Sequence, residues 1–264
     1  MTDTQIDRTG DYRDRCAVVA GGSAGVGLAT ARQLAQEGWG TVIILGRNED
    51  KGRRAVDEVR ALATGTHVDF IAGDLGDHRV VTEVVERIRR EQGRIDALVT
   101  TTHGGAILQI LGDMELERME SMLTDHVMAV FYLCRAVLPV MQQTGGSVVV
   151  VSSDAAKVPT PGESMVGAGM AALSMFARAM ALEVKRHGIR VNVVTPSVVS
   201  GTASFDTVMA DELGSRVFKK IEKMAALGIP TPGDLADLIQ FLVSDESKRL
   251  TGQSVSVNGG ISAM

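Results

Sequence analysis

Cysteine and aromatic residues are scarce in this 264-residue chain, and long apolar runs are absent. The two cysteines, Cys16 and Cys134, lie far apart, so no disulfide framework is implied. No Cys or His cluster has metal-ligand spacing, and no metal site is expected. Tyrosine occurs only at Tyr12 and Tyr132, which leaves most of the chain without a phenolic proton donor. No apolar stretch reaches the ~20 residues that cross a bilayer, and no membrane partner is expected. Residues 1–15 are polar, with none of the apolar core of a signal peptide, so a cytoplasmic, reducing location is the expectation. An excess of positive charge is missing too. The formal charge is -5, which argues against nucleic acid as a partner. The densest basic spot, Arg89 and Arg90, is flanked by Glu86 and Glu91 and reads as a solvated helix face.

Apolar strands alternate with amphipathic stretches along the rest of the chain. Strands are expected at 16–20, 41–45, 67–72, 96–100, 147–152, 189–195 and 254–257. Helices are expected at 28–37, 51–62, 80–92, 116–141, 164–186 and 234–244. Continuous apolar strands between helices indicate a parallel sheet covered on both faces. The expectation is a single α/β domain over 15–264, doubly wound in the Rossmann manner with seven strands, after a flexible leader at 1–14. Residues 197–228 are Met-rich and irregular or helical. They suit a substrate lid over about 200–228, or two amphipathic helices packed on the domain.

Between the first strand and its helix lies Gly21-Gly22-Ser23-Ala24-Gly25-Val26-Gly27. Glycine permits a tight turn and lets backbone N–H groups approach a pyrophosphate, which the following helix N-terminus also attracts. The second strand ends in Gly46-Arg47-Asn48, with no acid to hold a ribose 2′-hydroxyl. Arg47 instead offers a guanidinium fork for a 2′-phosphate, which favours NADP(H) over NAD(H). The plainer alternative pairs Arg47 with Glu49 or Asp50. Asp74 and Leu75 follow the third strand where an adenine edge would lie.

Several segments together resemble the short-chain dehydrogenase/reductase family from about Arg15 to Met264. These are the glycine loop, with Ala20 in the family's threonine position, Asp74-Leu75, Phe131 to Pro139, and Val150-Val151-Ser152-Ser153. Ile189 to Pro196 and Thr251 to Gly260 complete the likeness. The resemblance implies cofactor contacts from Gly21, Ser23, Ala24, Gly25, Val26, Gly27, Arg47, Asn48, Asp74, Leu75, Thr101, Thr102, Pro196, Val199 and Thr202. It also implies pairing of the 116–139 and 164–186 helices between subunits, giving a homodimer or homotetramer.

Family members use an asparagine, a serine, a tyrosine and a lysine. Ser153 takes the serine position here, but the family spacing puts Val166 where the tyrosine belongs and Met170 where the lysine belongs. His126 falls in the asparagine position, and Thr100-Thr101-Thr102-His103 replaces the family's Asn-Asn-Ala-Gly. Ser153, His126 and His103 are therefore the catalytic candidates, since histidine titrates near neutral pH. The competing role for His126 is a structural hydrogen bond to strand backbone. Asp154 would orient a histidine or face solvent, Lys157 would lean toward the cleft or sit as a surface lysine, and Tyr12 lies in the leader. The expected function is hydride transfer between NADP(H) and a small, lipophilic carbonyl, imine or enone. The alternatives are a non-redox isomerase, cyclase or dehydratase on the same scaffold, or a catalytically silent cofactor-binding partner subunit.

Overall fold

The computed structural model describes residues 11–102 and 108–263. Seven strands form the sheet: β1 (Cys16–Ala20), β2 (Thr41–Gly46), β3 (His67–Ala72), β4 (Ala97–Thr100), β5 (Gly146–Val151), β6 (Ile189–Pro196) and β7 (Ser254–Val257). Their order is β3-β2-β1-β4-β5-β6-β7, and every pairing is parallel. Residues of β1, β4 and β5 are buried on both faces, which is why these strands read as unbroken apolar runs rather than alternating ones.

The helices are α1 (Gly25–Gln36), α2 (Glu49–Leu62), α3 (His78–Gln92), α4 (Leu116–Met141), α5 (Ser164–Val184), α6 (Ala203–Ala210), α7 (Glu212–Met224) and α8 (Pro232–Val243). Side chains of α1, α2 and α8 share one core layer, and those of α3, α4 and α5 share the other. The starts of α2, α3 and α8 lie ahead of the apolar periodicity because polar caps set them. Asn48 accepts from the Lys51 N–H to open α2, Asp77 accepts from Arg79 to open α3, and Thr231 and Asp234 form a capping box on α8.

α4 and α5 are long and apolar enough to cross a membrane by length and composition alone. Here each lays one face on the sheet, and the tilted Phe131–Phe176 pair, with centroids 4.3 Å apart, joins the two.

Two side chains depart from the expected layout. Tyr12 does not trail in a leader: it is 3% exposed and stacks on the buried Trp39 at 5.1 Å, with Arg15 above its ring. Arg15 in turn clasps Asp245 through two hydrogen bonds of 3.1 and 2.6 Å. Stacking and ion pairing therefore tie residues from 12 onward to the sheet.

The strand order reverses between β1 and β4, and a crevice opens at such a switch beyond the carboxyl ends of the strands. The Met-rich segment that follows β6 forms α6 and α7. They pack through Val208 and Phe218 against Leu108 and Val198 at the mouth of this crevice.

Candidate cofactor and substrate cleft

The glycine loop is closed by its neighbours. Gly21 has φ +79° and Gly25 φ +52°, backbone that side chains rarely adopt. A Cβ on Gly27 would run into the Gly21 carbonyl and come within 2.7 Å of the Thr101 hydroxyl. Thr101 is itself fixed by N–H and O–H donation to the Ala20 carbonyl, each 2.9 Å. Ala24, at the N-cap of α1, supplies no side-chain cap, so the first N–H groups of α1 have no partner from that residue. A helix start without a side-chain cap, beside glycines at 21, 25 and 27, fits a pyrophosphate.

A cleft of about 300 Å3 extends from this loop. It gathers Gly21, Ala24, Gly25, Val26, Thr101, Pro196, Val199 and Thr202 with Ser153 and His126, all expected at the site. Ser23, Gly27, Arg47, Asn48, Asp74, Leu75 and Thr102 are not part of its wall. Arg47 is exposed and makes no ion pair among the described residues, because Arg53 takes both Glu49 and Asp50. Asn48 spends its side-chain oxygen on the α2 cap, Asp74 accepts from the Gly76 N–H at 3.1 Å, and Leu75 is buried in the core. His103 lies outside the described residues.

Beyond the loop the lining is apolar. Val166 and Met170 on α5 are 5% and 2% exposed and present only hydrocarbon and thioether. Phe205, Val208 and Phe218 close the opposite side. Ser153 lies two residues past the end of β5 at the cleft, and its hydroxyl oxygen accepts from the Ala155 N–H at 3.1 Å, which leaves its proton free to donate.

His126 is 3% exposed. Its Nδ1 lies 2.5 Å from the Met122 carbonyl of its own helix, not against a strand. That contact requires a proton on Nδ1, so neutral His126 presents Nε2 as an acceptor, and Nε2 is buried without a partner among the described residues. Gly169 makes this placement possible, since a Cβ there would sit 2.9 Å from the His126 Cβ.

Asp154 and Lys157 do not follow their sequence readings. Asp154 is 4% exposed and neither orients a histidine nor meets solvent. It receives Asn258 Nδ2 at 2.5 Å, Ser262 Oγ at 2.9 Å and Ser256 Oγ at 3.1 Å. Lys157 turns inward as well, with Nζ 2.8 Å from Thr195 Oγ1, 2.5 Å from Ser256 Oγ and 3.5 Å from Asp154 Oδ1. Together they bolt the turn after β5 to β6, β7 and the C-terminal segment. Tyr132 is edge-on to His78 at 5.8 Å, away from the cleft wall.

Sequence reasoning passed over Glu163. It stands at the N-terminus of α5, caps nothing with its side chain and lines the cleft. Burial pushes its carboxyl above the usual glutamate range, and a hydrogen bond from Thr160 only partly offsets this. The available signal was its place: Glu163 immediately precedes the helix whose residues Val166 and Met170 line the cleft.

Residues 15–213 match the profile of the short chain dehydrogenases. The chain is 30% identical over 250 residues to a 3-oxoacyl-[acyl-carrier-protein] reductase of Chlamydia muridarum, covering 94% of this chain and 97% of that protein. It is 30% identical over 253 residues to a 2,3-dihydro-2,3-dihydroxybenzoate dehydrogenase of Bacillus subtilis, covering 93% and 95%. A short-chain type dehydrogenase/reductase from Mycobacterium ulcerans superposes with a TM-score of 0.88 at 25% identity, over 95% of this chain and 90% of the other. Glycine loop, parallel sheet and near full-length relatives converge: the chain belongs to the short-chain dehydrogenase/reductase family.

Proposed function

We propose that the protein is an NADP(H)-dependent oxidoreductase acting on a small, lipophilic carbonyl, imine or enone, with proton handling rebuilt around Ser153 and His126. The observation that carries the reading is the cradle at Gly21, Gly25 and Gly27, which opens directly into a largely apolar cleft. The family relatives named as a reductase and a dehydrogenase support redox chemistry. Gly46 and the unpaired Arg47 support a 2′-phosphate over a bare ribose.

The loop N–H groups and the start of α1 would hold the pyrophosphate. Pro196, Val199 and Thr202 would flank the nicotinamide end. When bound, the nicotinamide supplies or accepts hydride. Ser153 would donate a hydrogen bond to the substrate heteroatom, and His126 Nε2 would accept one. The apolar wall of Val166, Met170, Phe205, Val208 and Phe218 suits a lipophilic body and excludes water.

A catalytically silent partner subunit is the second reading, and it rests on Val166 and Met170, which offer no titrating group where the family carries its tyrosine and lysine. Deuteride transfer from labelled NADPH to a panel of ketones, imines and enones separates the two. The first reading expects labelled product, with Ser153→Ala and His126→Ala each cutting turnover about 10²-fold or more. A protein that binds NADPH and transfers no label to any acceptor is the silent subunit.

α4 and α5 also expose apolar side chains on their outer faces, among them Leu116, Leu123, Met175 and Leu182. This supports assembly as a homodimer or homotetramer through these helices.

A further inference from the structure

The cleft does not end at Ser153. A second cavity of about 170 Å3 adjoins it, lined by Pro159, Pro161, Ile221, Met224 and Ile261. The two cavities share Ser153, Glu163 and Ser197 as walls, so Glu163 stands at their junction. We propose that Glu163 is the acid of this cleft: its carboxyl, at the N-cap of α5 three residues ahead of Val166 and on the wall of the same cleft, delivers the proton that a tyrosine at position 166 would have supplied.

The surroundings of Glu163 suit a donor. No ion pair among the described residues includes it. Among the described residues, the charged and titratable groups near it are few. His126 on α4 lines the same cleft, and Asp154, from the turn after β5, lines the second cavity with its charge already met by Lys157, Asn258 and Ser262. Among the described residues no cation therefore holds Glu163 ionised, and burial favours its neutral form. Once the proton has left, the N-terminus of the 21-residue α5 favours the carboxylate. The buried, unpartnered Nε2 of His126 is an independent sign that this cleft receives a polar ligand atom. Glu163 adds a transferable proton to the hydrogen bond that Ser153 donates and the one that His126 accepts.

The step is a proton transfer. The O–H bond of the Glu163 carboxyl breaks, and a new O–H or C–H bond forms on the substrate anion left by hydride addition. Glu163 becomes a carboxylate and is reprotonated from solvent. The two electrons come from the reduced nicotinamide, and no other redox partner is needed.

This inference rests on the oxidoreductase reading, and its test has an arm that does not. Wild type, Glu163→Gln and Glu163→Asp are compared with NADPH as reductant and cyclohexenone or benzil as acceptor, across pH, after circular dichroism and NADPH titration show equal folding and cofactor affinity. The expected result is a loss of turnover of at least about 10²-fold in Glu163→Gln with loss of the alkaline limb of the wild-type profile, and partial recovery of both in Glu163→Asp. In parallel, infrared difference spectra without cofactor or acceptor should show a protonated carboxyl that titrates above the ordinary glutamate range and is missing from Glu163→Gln. Turnover of Glu163→Gln within twofold of wild type, with an unchanged pH profile, overturns the proposal. So does a Glu163 carboxyl that titrates in the ordinary range. If wild type reduces neither acceptor, the reductase reading fails for these substrates, and the infrared arm alone decides whether Glu163 holds the proton.

Discussion

Gly27 sets what the loop can accept. The space a side chain would need is already taken by the Gly21 carbonyl and the Thr101 hydroxyl, both anchored to the end of β1. Gly27→Ala should therefore displace the loop and weaken NADPH binding at least tenfold, about 1.4 kcal/mol, as read by cofactor fluorescence. Glu163 has a signature at the same scale. Its carboxyl takes up a proton more readily in the folded chain than in the unfolded one, because burial opposes its charge. Its contribution to stability is thus complete below the ordinary glutamate range and is lost as pH rises through the raised folded value. Wild type should lose stability relative to Glu163→Gln across that window, as measured by urea midpoints. Parallel curves would contradict this.

Between elements, the buried network around Asp154 carries the heaviest demand. One carboxylate holds Asn258, Ser262 and Ser256 while pairing with Lys157, so the turn that positions Ser153 is locked to β7. Asp154→Ala would remove the one carboxylate that Lys157, Asn258, Ser262 and Ser256 share and should cost about 3 kcal/mol, visible as a lower urea midpoint. None of this was legible in the sequence, since the partners lie some hundred residues away and a polar pair after a strand reads as surface. What local pattern encodes was legible. The unbroken apolar runs of β1, β4 and β5 announced a sheet covered on both faces. The periodicity of Val81, Val84, Val85 and Ile88 announced α3, which begins at His78 because Asp77 caps it. In the cleft, the loop glycines, Ser153 and His126 were visible as types at spacings. Tyr12 and Glu163 were missed because burial of a residue near a terminus or a helix start depends on what folds over it.

For the whole molecule, the same two helices that build the core also leave apolar surface behind. Leu182 is 67% exposed and Met175 60% exposed on α5, and Leu116 is 78% exposed at the start of α4. Such a surface is expected to be covered by a second copy. Leu182→Glu would place a charge there, and light scattering should then report a smaller species than wild type; an unchanged mass would remove this face from the assembly. The central claim concerns the cradle: the proposal is a dinucleotide site of NADP type beside a cleft in which Ser153, His126 and Glu163 handle protons. Fluorescence titration of wild type and Arg47→Ala with NADPH and NADH tests that most directly. The account expects NADPH to bind about 10- to 100-fold more tightly than NADH, as charge-assisted bonds to a 2′-phosphate would give, and Arg47→Ala to erase the difference. Failure of wild type to bind either nucleotide at millimolar concentration, or equal affinities untouched by Arg47→Ala, would contradict it.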